Sequence, residues 1–455
     1  MSFGSRLTNN MTMRFVFIGI LVLAMLVPMM MVHNVIEERG QYYHTAVEGV
    51  RDGWADAQVL GDPVLVIPYS YTTQGQKVNV HTNQYEVYNI EHTDKLYVFP
   101  TQTKMAASFK SENRKRGLFN VPIYAAQIDM SGRIRMPDLA QAIPAERRDS
   151  YKVQDPYMIL KVADPRGLHG DFKWSVGDKD FMAEPGSKTS SIGGIHTMVP
   201  LDAAAMAGKD VPFALNFGLK GTRSFSFIPT ARQTDMSMKA NWPHPSFGGR
   251  FLPVAHDVRD DGFSASWSVG ALATNMGEKF MACAESNSCH EFESTNMSVS
   301  FIDSTDLYAK MLRSAKYGML FIGLTFMAFF MFEVLRHFKI HPLQYFMVGG
   351  SLVIFYLLLL ALAEHIGFGI AYLMAALAVC LLLGYYVSHI AHSRAVGTSF
   401  GGGVMVLYGV LYTIMGSEDY ALLMGAGLLF TVLAATMILT RRIDWYAISL
   451  DREMR

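Results

Sequence analysis

Long apolar runs dominate the last third of this 455-residue chain. Between Tyr317 and Thr440, only seven of the 124 side chains carry a formal charge, and each lies near the end of an apolar run. Runs of this length, with charges confined to their ends, are typical of membrane-spanning helices. The pattern therefore predicts an integral membrane protein.

Six segments are long and apolar enough to cross a bilayer core of about 30 Å as helices. The first segment lacks the small-residue pattern of a signal-peptide cleavage site, so we predict an uncleaved signal anchor. The predicted spans are Phe15–Val32, Tyr317–Leu335, Phe346–Ala363, Ile366–Ile390, Thr398–Met415 and Tyr420–Thr440.

Basic residues indicate the orientation of these spans. With the N-terminus in the cytoplasm, the cytoplasmic side carries Arg336, Lys339, Arg394 and the tail 441–455. Glu364 and the Glu418–Asp419 turn then lie outside. This arrangement obeys the positive-inside rule at every short loop. One basic cluster, Lys310 to Lys316, lies on the outer side, but it adjoins a loop long enough to be largely exempt from the rule. We therefore predict a multi-pass membrane protein with both termini in the cytoplasm. The block 34–316 then lies in the periplasm, if the source is a double-membraned bacterium.

The polar block between the first and second spans shows two periodicities. An apolar stripe from Val35 to Trp54 predicts a leading helix over about 34–58. From about Pro63 onward, apolar and polar residues alternate, which predicts half-buried antiparallel strands in a sandwich-like domain. The clearest alternating runs are Phe213, Leu215, Phe217 and Leu219; Phe263, Ala265, Trp267 and Val269; and Met297, Val299 and Phe301.

These patterns together define a fold class and a domain organisation. We predict a signal-anchor helix, a large β-rich periplasmic domain and a C-terminal bundle of five transmembrane spans. The predicted domains are 1–33, 34–316, 317–440 and 441–455. The formal net charge is zero, so the composition gives no reason to expect a nucleic-acid partner.

Recognisable catalytic and cofactor motifs are scarce. The chain has no Walker A loop, no G-x-G-x-x-G fingerprint and no C-x-x-C pair, and we expect no G-x-S-x-G nucleophile elbow. His290–Glu291 begins like a zinc-binding H-E-x-x-H motif, but Ser294 stands where the second histidine is needed. We therefore predict no metal, no cofactor and no catalytic residues, and a protein that is not an enzyme.

Two cysteines lie close together in the polar block. Cys283 and Cys289 would be exposed to oxidising conditions in the periplasm, where they form either a small-loop disulfide or two unpaired thiols. Cys380, within an apolar helix, is expected to serve packing.

Three ionisable residues form a candidate polar site in the membrane. Glu364 and His365 adjoin at the outer end of the third span, where they could relay protons or hold a polar substrate. Alternatively, both residues mark the membrane interface. Glu333 lies deeper in its span, and an ion pair with Arg336 or His337 on the same helical face would satisfy it.

A stiff aromatic segment is the candidate recognition surface of the β-rich domain. Trp242, His244 and Phe247 surround two prolines, and such loops make good binding surfaces. The alternative is a connection whose Trp242 and Phe247 cover the edge of the sandwich. The basic run from Lys110 to Arg116 suggests either a solvated loop or a site for an anionic lipid or glycan headgroup.

Several long strings resemble the CreD family of inner-membrane cell-envelope-integrity proteins. The resemblance extends over essentially the whole chain and implies a single N-terminal span, a large periplasmic domain and a membrane bundle. It also implies a role in envelope integrity and stress, but it supplies no catalytic residues. The strings are NWPHPSFGGRFLPV at Asn241–Val254, LTFMAFFMFEVL at Leu324–Leu335, HPLQYFMVGGSLVIFYLLLLALAEHIGF at His341–Phe368 and IDWY at Ile443–Tyr446.

Three functions are compatible with these patterns. The first is a non-enzymatic envelope factor whose periplasmic domain binds a protein, glycan or lipid partner. The second is a transporter or lipid-handling protein that uses Glu364 and His365 in the bundle. The third is a membrane-embedded enzyme that uses the same pair as acid and base. The lipid bilayer is a partner in each case, and the oligomeric state stays open.

Overall fold

The computed structural model describes residues 11–78, 85–148, 150–286, 288–301, 307–336, 340–416 and 420–441. The chain divides into two compact units. The helical unit comprises Met1–Thr45 and Thr305–Arg455, and the β-rich unit comprises Ala46–Ser304. Several residues used in the sequence prediction lie outside the described ranges, namely His337, Lys339, the Glu418–Asp419 turn and the tail beyond Arg441.

Regular structure accounts for most of both units. The helices of the described residues are α1 Met11–Ala24, α2 Leu26–Gly53, α3 Leu139–Ala142, α4 Met276–Ser286, α5 His290–Ser294, α6 Leu307–Arg336, α7 Pro342–Ile366, α8 Phe368–Ile390, α9 Arg394–Gly416 and α10 Ala421–Thr440. Their strands are β1 Gln58–Gly61, β2 Val64–Val78, β3 Tyr85–Val98, β4 Gln102–Arg116, β5 Phe119–Arg135, β6 Lys152–Val153, β7 Tyr157–Lys161, β8 Leu168–Val176, β9 Lys179–Phe181, β10 Glu184–Pro185, β11 Gly194–Met198, β12 Asp210–Thr222, β13 Ser224–Ile228, β14 Gln233–Ala240, β15 Pro245–Gly249, β16 Ala255–Arg259, β17 Gly262–Gly270 and β18 Met297–Phe301.

The first predicted span and the predicted leading helix are nearly continuous. Only a turn at Met25 separates α1 from α2. Pro28 explains the turn, because proline has no N–H to donate to Ala24 and its ring crowds that carbonyl group. The helix predicted over about 34–58 ends earlier, at Gly53.

Short, well-defined connections join the helices after α6. At the start of α7, the His341 side chain accepts a hydrogen bond from the Leu343 N–H, and the Gln344 side chain accepts one from the His341 N–H. Gly367 alone separates α7 from α8, with a φ of +81° that other residues rarely adopt. Such short connections favour antiparallel neighbouring helices.

Glycines bring the backbones of α8 and α9 into close approach. A Cβ atom at Gly397 would lie 2.4 Å from the Gly384 carbonyl oxygen, and one at Gly401 would lie 3.0 Å from the Cys380 carbonyl oxygen. Small residues at helix contacts are a common means of packing in membranes, where apolar burial does not drive association.

The described helices confirm the predicted class of a membrane protein with a large β-rich region. Five helical stretches of the described residues are long and apolar enough to cross a membrane, with α1 and α2 counted as one, and α10 contributes a shorter apolar stretch. The long segments are Val16–Gly53, Leu307–Glu333, Pro342–Ile366, Phe368–Ile390 and Arg394–Gly416, and the shorter stretch is Leu422–Ile438.

Three sheets form the β-rich unit. The four-stranded sheet has the order β1-β13-β18-β15, and the six-stranded sheet has the order β10-β11-β7-β2-β3, with β6 paired to β2. The eight-stranded sheet has the order β16-β17-β14-β4-β5-β12-β8-β9. Among the described strands, the pairings are antiparallel except for β1 with β13 and β4 with β14, which are parallel. The antiparallel prediction is therefore correct for most of the unit and wrong at these two ladders, which a simple meander cannot form.

The predicted inward faces are confirmed. All residues of the three alternating runs are buried, and they pack into one large hydrophobic cluster. Phe109, Tyr124, Phe225 and Phe301 form an aromatic centre in this cluster, with ring centroids 5.1 to 5.5 Å apart. The opposite face of the eight-stranded sheet remains exposed to solvent.

Candidate functional site

The predicted aromatic surface is largely part of the core. Trp242 is 8% exposed, its ring lies edge-on to Phe301, and its Nε1 donates to the His244 carbonyl oxygen at 3.2 Å. Phe247 is half-buried and packs edge-on against Phe263 and Trp267. Of the three predicted residues, only His244 is exposed. The structure thus does not bring these side chains onto one accessible surface.

Glu364 has partners that the sequence prediction did not include. Arg39 of α2 donates two hydrogen bonds to its carboxylate, at 2.8 and 2.6 Å, and the Tyr308 hydroxyl of α6 donates a third at 2.9 Å. The Glu364 side chain is 7% exposed and that of Arg39 is 30% exposed. His365 is exposed, with its Nδ1 3.0 Å from the Ala361 carbonyl oxygen.

The Glu364 contacts make a clamp rather than an open polar site. A bidentate arginine and a tyrosine occupy the carboxylate, which joins three helices of the helical unit. The clamp was invisible in the sequence because Arg39 and Glu364 are 325 residues apart.

Glu333 is also engaged in the helical unit. Its side chain is buried, and the Tyr345 hydroxyl of α7 donates a hydrogen bond to it at 2.8 Å. The two partners suggested by helical spacing lie outside the description, because neither the Arg336 side chain nor His337 is described. A tyrosine on the next helix is the contact that the sequence prediction missed.

Cys283 and Cys289 form a disulfide between α4 and the start of α5, with Cα atoms 4.3 Å apart. The buried ammonium group of Lys161 in β7 lies 2.7 Å from the Glu293 carboxylate in α5. Phe280 of α4 and Phe292 of α5 lie together in a small hydrophobic cluster. The disulfide therefore lies in a locally stabilised corner beside the six-stranded sheet.

The basic run at the end of β4 contacts the last turn of α2. Arg116 donates a hydrogen bond to the Gly49 carbonyl oxygen, and the Arg114 guanidinium lies over the Trp54 ring at 4.9 Å. Lys220 lies over the same ring at 4.6 Å. Cations are favourable at the C-terminal end of a helix, so Arg116 and Arg114 have a structural role here.

One accessible surface differs from all those predicted. The outward face of the eight-stranded sheet carries two rows of mainly short polar side chains, which cross β17, β14, β4, β5, β12 and β8 in register. The first row is Ser268, Asp235, Lys104, Ser131, Ala214 and Ser175, and the second is Ser266, Ser237, Ala106, Asp129, Asn216 and Lys173. These rows form the floor of a cavity of about 870 Å³, which we call the groove.

The floor of the groove rests on a packed layer. The residues that alternate with the floor point into the core, and each is 2% exposed: Met105, Met130, Leu215, Met236 and Trp267. The loop before β16 supplies a rim, where the Val254 N–H donates to the Ser266 carbonyl oxygen at 2.8 Å. The Val254 side chain is 75% exposed. The groove is therefore a surface of short side chains, several of which carry hydrogen-bonding groups, on a supported sheet.

Hydrogen bonds orient the charged groups of the floor. Asp235 accepts from Ser268 at 2.7 Å and from Gln233 at 3.0 Å, and these bonds lower the pKa of its carboxyl group. The Asn216 amide donates to the Asp129 carboxylate. Both carboxylates are therefore held as acceptors facing solvent.

The groove offers binding groups rather than an evident reaction centre. Within the part of the chain that the structure describes, no group of three or more His, Cys, Asp or Glu residues could hold a metal ion. The pentapeptide Gly397–Gly401 has the G-x-S-x-G spacing of a hydrolase nucleophile, so the expectation that the chain lacks this motif is wrong at the level of the sequence. The pentapeptide lies inside α9 instead of at a strand-to-helix turn, so Ser399 lacks the strained position that activates such a serine.

The fold defines a multi-pass membrane protein with a large β-rich unit inserted between its first and second apolar helices. The family model of the inner membrane protein CreD matches residues 10–446. The chain is also 32% identical over 434 residues to the inner membrane protein CreD of Escherichia coli strain K12, with 95% of this chain and 93% of that protein covered. This chain therefore belongs to the CreD family of inner membrane proteins.

Two solved structures show a weak likeness to this chain. An M1 zinc metallopeptidase from Deinococcus radiodurans has a TM-score of 0.21 at 6% identity, with 45% of this chain and 42% of that chain covered. A mutant of the M1 zinc metallopeptidase from the same organism, bound to a tripeptide substrate, also has a TM-score of 0.21, at 4% identity, with 48% and 53% covered. Likenesses at this level support neither a common fold nor a common site.

Proposed function

We propose that this protein is an inner-membrane factor for envelope integrity and envelope stress, and that its β-rich unit is a periplasmic recognition module. The groove carries this proposal, because it is a broad surface of short side chains, several with hydrogen-bonding groups, on a rigid sheet. Small ligand sites are usually preformed, with a few oriented polar groups that provide specificity.

The contacts of Glu364 favour recognition over transport as the main function. Its carboxylate is held by Arg39 and Tyr308, so it is not open to a passing substrate in this conformation. His365 makes a local contact on its own helix. In this proposal the helical unit anchors the recognition module, while a transporter or lipid-handling function is the weaker alternative.

The proposal places both chain termini in the cytoplasm and the β-rich unit in the periplasm. The positive-inside pattern supports this orientation. The Cys283–Cys289 disulfide supports it independently, because disulfides persist in oxidising compartments. The partner of the groove is then a component of the periplasm or the envelope.

Filling the groove tests this function. We expect Ala106→Trp and Ala214→Trp to abolish complementation of detergent sensitivity in a strain that lacks the protein, at matched membrane abundance. Both alanines are exposed on the floor, so the larger side chains occupy the groove without entering the core.

Ala207→Trp is the matched control, because Ala207 is exposed in a turn away from the groove. It should complement like the natural protein. Full complementation by both groove variants would refute the recognition function of this surface.

A further inference from the structure

We propose that the groove binds an uncharged linear glycan strand. This inference rests on the proposed recognition function and specifies its ligand. It follows from the hydrogen-bonding groups, the charge balance, the shape of the floor and the state of its backbone groups.

The floor has the side chains that pair with sugar hydroxyl groups. Five serines, one asparagine and two aspartates offer short donors and acceptors along both rows. Each sugar hydroxyl can donate and accept, so it matches mixed rows of this kind. A largely apolar ligand would instead cover these groups without offering them hydrogen-bond partners, which is unfavourable.

The charges of the floor cancel. Lys104 lies beside Asp235 in the first row, and Lys173 follows Asp129 and Asn216 in the second. A strongly anionic or cationic polymer would meet an equal number of repelling charges. Charge complementarity therefore favours a ligand without net charge.

The shape of the floor suits an extended chain. Six neighbouring strands line it, which corresponds to a length of about 24 Å at the usual strand spacing. Short side chains allow a ligand to approach the sheet closely. Val254, which is 75% exposed, provides an apolar contact at one rim for the apolar face of a sugar ring.

The backbone of the floor argues against an extended peptide. Peptides that bind to sheets usually add a strand at an open edge and pair with its N–H and C=O groups. Here the floor crosses the middle of the sheet, where the backbone groups already take part in ladders between neighbouring strands. Recognition must therefore use side chains, as it does for glycans.

The test measures binding to the full-length protein in detergent by isothermal titration calorimetry. The probes are the hexamers of N-acetylglucosamine, of β-1,4-linked glucose and of α-1,4-linked glucose. A sulfated hexasaccharide and a neutral extended decapeptide serve as contrasting ligands. We expect at least one neutral hexamer to bind, and both contrasting ligands to bind at least tenfold more weakly.

Two small substitutions locate the binding. Asn216→Ala and Asp129→Ala should each raise the dissociation constant for the neutral hexamer by about threefold to tenfold, as expected for the loss of one or two hydrogen bonds. Ala207→Trp should leave it unchanged. An unaltered thermal unfolding midpoint of each variant shows that the fold is preserved.

The outcomes separate this inference from the proposed function. If Ala106→Trp and Ala214→Trp abolish complementation but none of the neutral hexamers binds, the glycan inference is overturned and the recognition function stands. Preference for the peptide or the sulfated sugar also overturns the glycan inference. Hexamer binding that is unaffected by Asn216→Ala and Asp129→Ala overturns the assignment to the groove.

Discussion

Asp62 places a carboxyl group in the interior of the β-rich unit, where the residue is 2% exposed. One of its oxygens accepts hydrogen bonds from the Thr230 and Ala231 N–H groups and from the Thr234 hydroxyl. Burial nevertheless raises the pKa of this carboxyl group, because it penalises the charged form more than these bonds favour it. Asp62 thus fixes the loop before β14 at the cost of burying a carboxyl group.

The first prediction concerns Asp62→Asn. A raised pKa in the folded state means that the stabilising contribution is fully present below the unfolded pKa of about 3.9 and is lost as the pH rises through the folded pKa. Asparagine keeps an acceptor oxygen without the charge. At pH 7 we expect Asp62→Asn to increase the free energy of unfolding, because the neutral amide avoids the burial penalty of the charged form, and the gain should vanish near pH 3.

Asp164→Asn is the control with the opposite sign. Hydrogen bonds from Arg166 lower the pKa of the Asp164 carboxyl group, so its contribution is present above the unfolded pKa and is lost as the pH falls through the folded pKa. Asp164→Asn should be less stable than the natural protein at pH 7 and equally stable at the lowest pH. Thermal unfolding of the purified protein across pH 3–8 measures the stability of both variants. A loss of stability in Asp62→Asn at pH 7 would contradict the first prediction.

The Glu364 clamp acts at the scale of the element, because it joins α2, α6 and α7 within the helical unit. Its two charged members are unequally exposed, with 7% for the Glu364 side chain and 30% for that of Arg39. A carboxylate left without its partner therefore has less access to water than the arginine would have. Removing Arg39 should therefore destabilise the helical unit more than removing the charge of Glu364.

The second prediction follows from this asymmetry. Arg39→Met leaves the Glu364 carboxylate without its counter-charge and should destabilise the helical unit by about 3 kcal/mol. Glu364→Gln leaves a more exposed arginine and should cost about 1 kcal/mol. The double variant should be more stable than Arg39→Met alone, because it removes both charges.

Denaturation of the purified protein in mixed micelles, followed by its helical circular dichroism, measures these effects. Tyr308→Phe keeps the ion pair and should cost only about 1 kcal/mol, which makes it the control for the hydroxyl contact. Additive costs of the two charge substitutions would show that Arg39 and Glu364 do not act as a pair. Their double-mutant coupling energy decides the question.

At the scale of the whole molecule, the sequence predicts which faces are buried better than which elements meet. The period of two identified the inward residues Phe263 and Trp267 correctly, because alternation follows directly from the pleat of a strand. It does not specify strand neighbours, so the parallel pairing of β4 with β14 was missed. The groove depends on that pairing. Its floor residues are ordinary outward-facing residues of separate strands, and only the order of the six strands brings them side by side.

The compartment of the β-rich unit is the remaining property of the whole molecule, and the three cysteines of the chain report it. Cys283 and Cys289 are joined, whereas Cys380 is a buried thiol in α8. If the unit is periplasmic, the disulfide forms and persists in the cell. After acid quenching and denaturation of whole cells, a maleimide polymer should therefore add once without reductant and three times after reduction.

Cys380→Ala is the control for this count, because it should abolish the addition seen without reductant and leave two additions after reduction. A natural protein that reacts three times without reductant would place the β-rich unit in a reducing compartment. The groove would then face the cytoplasm, and a glycan strand of the envelope could not be its ligand. The orientation measurement therefore constrains the choice of ligand before any binding experiment, since topology limits which polymers the groove can meet.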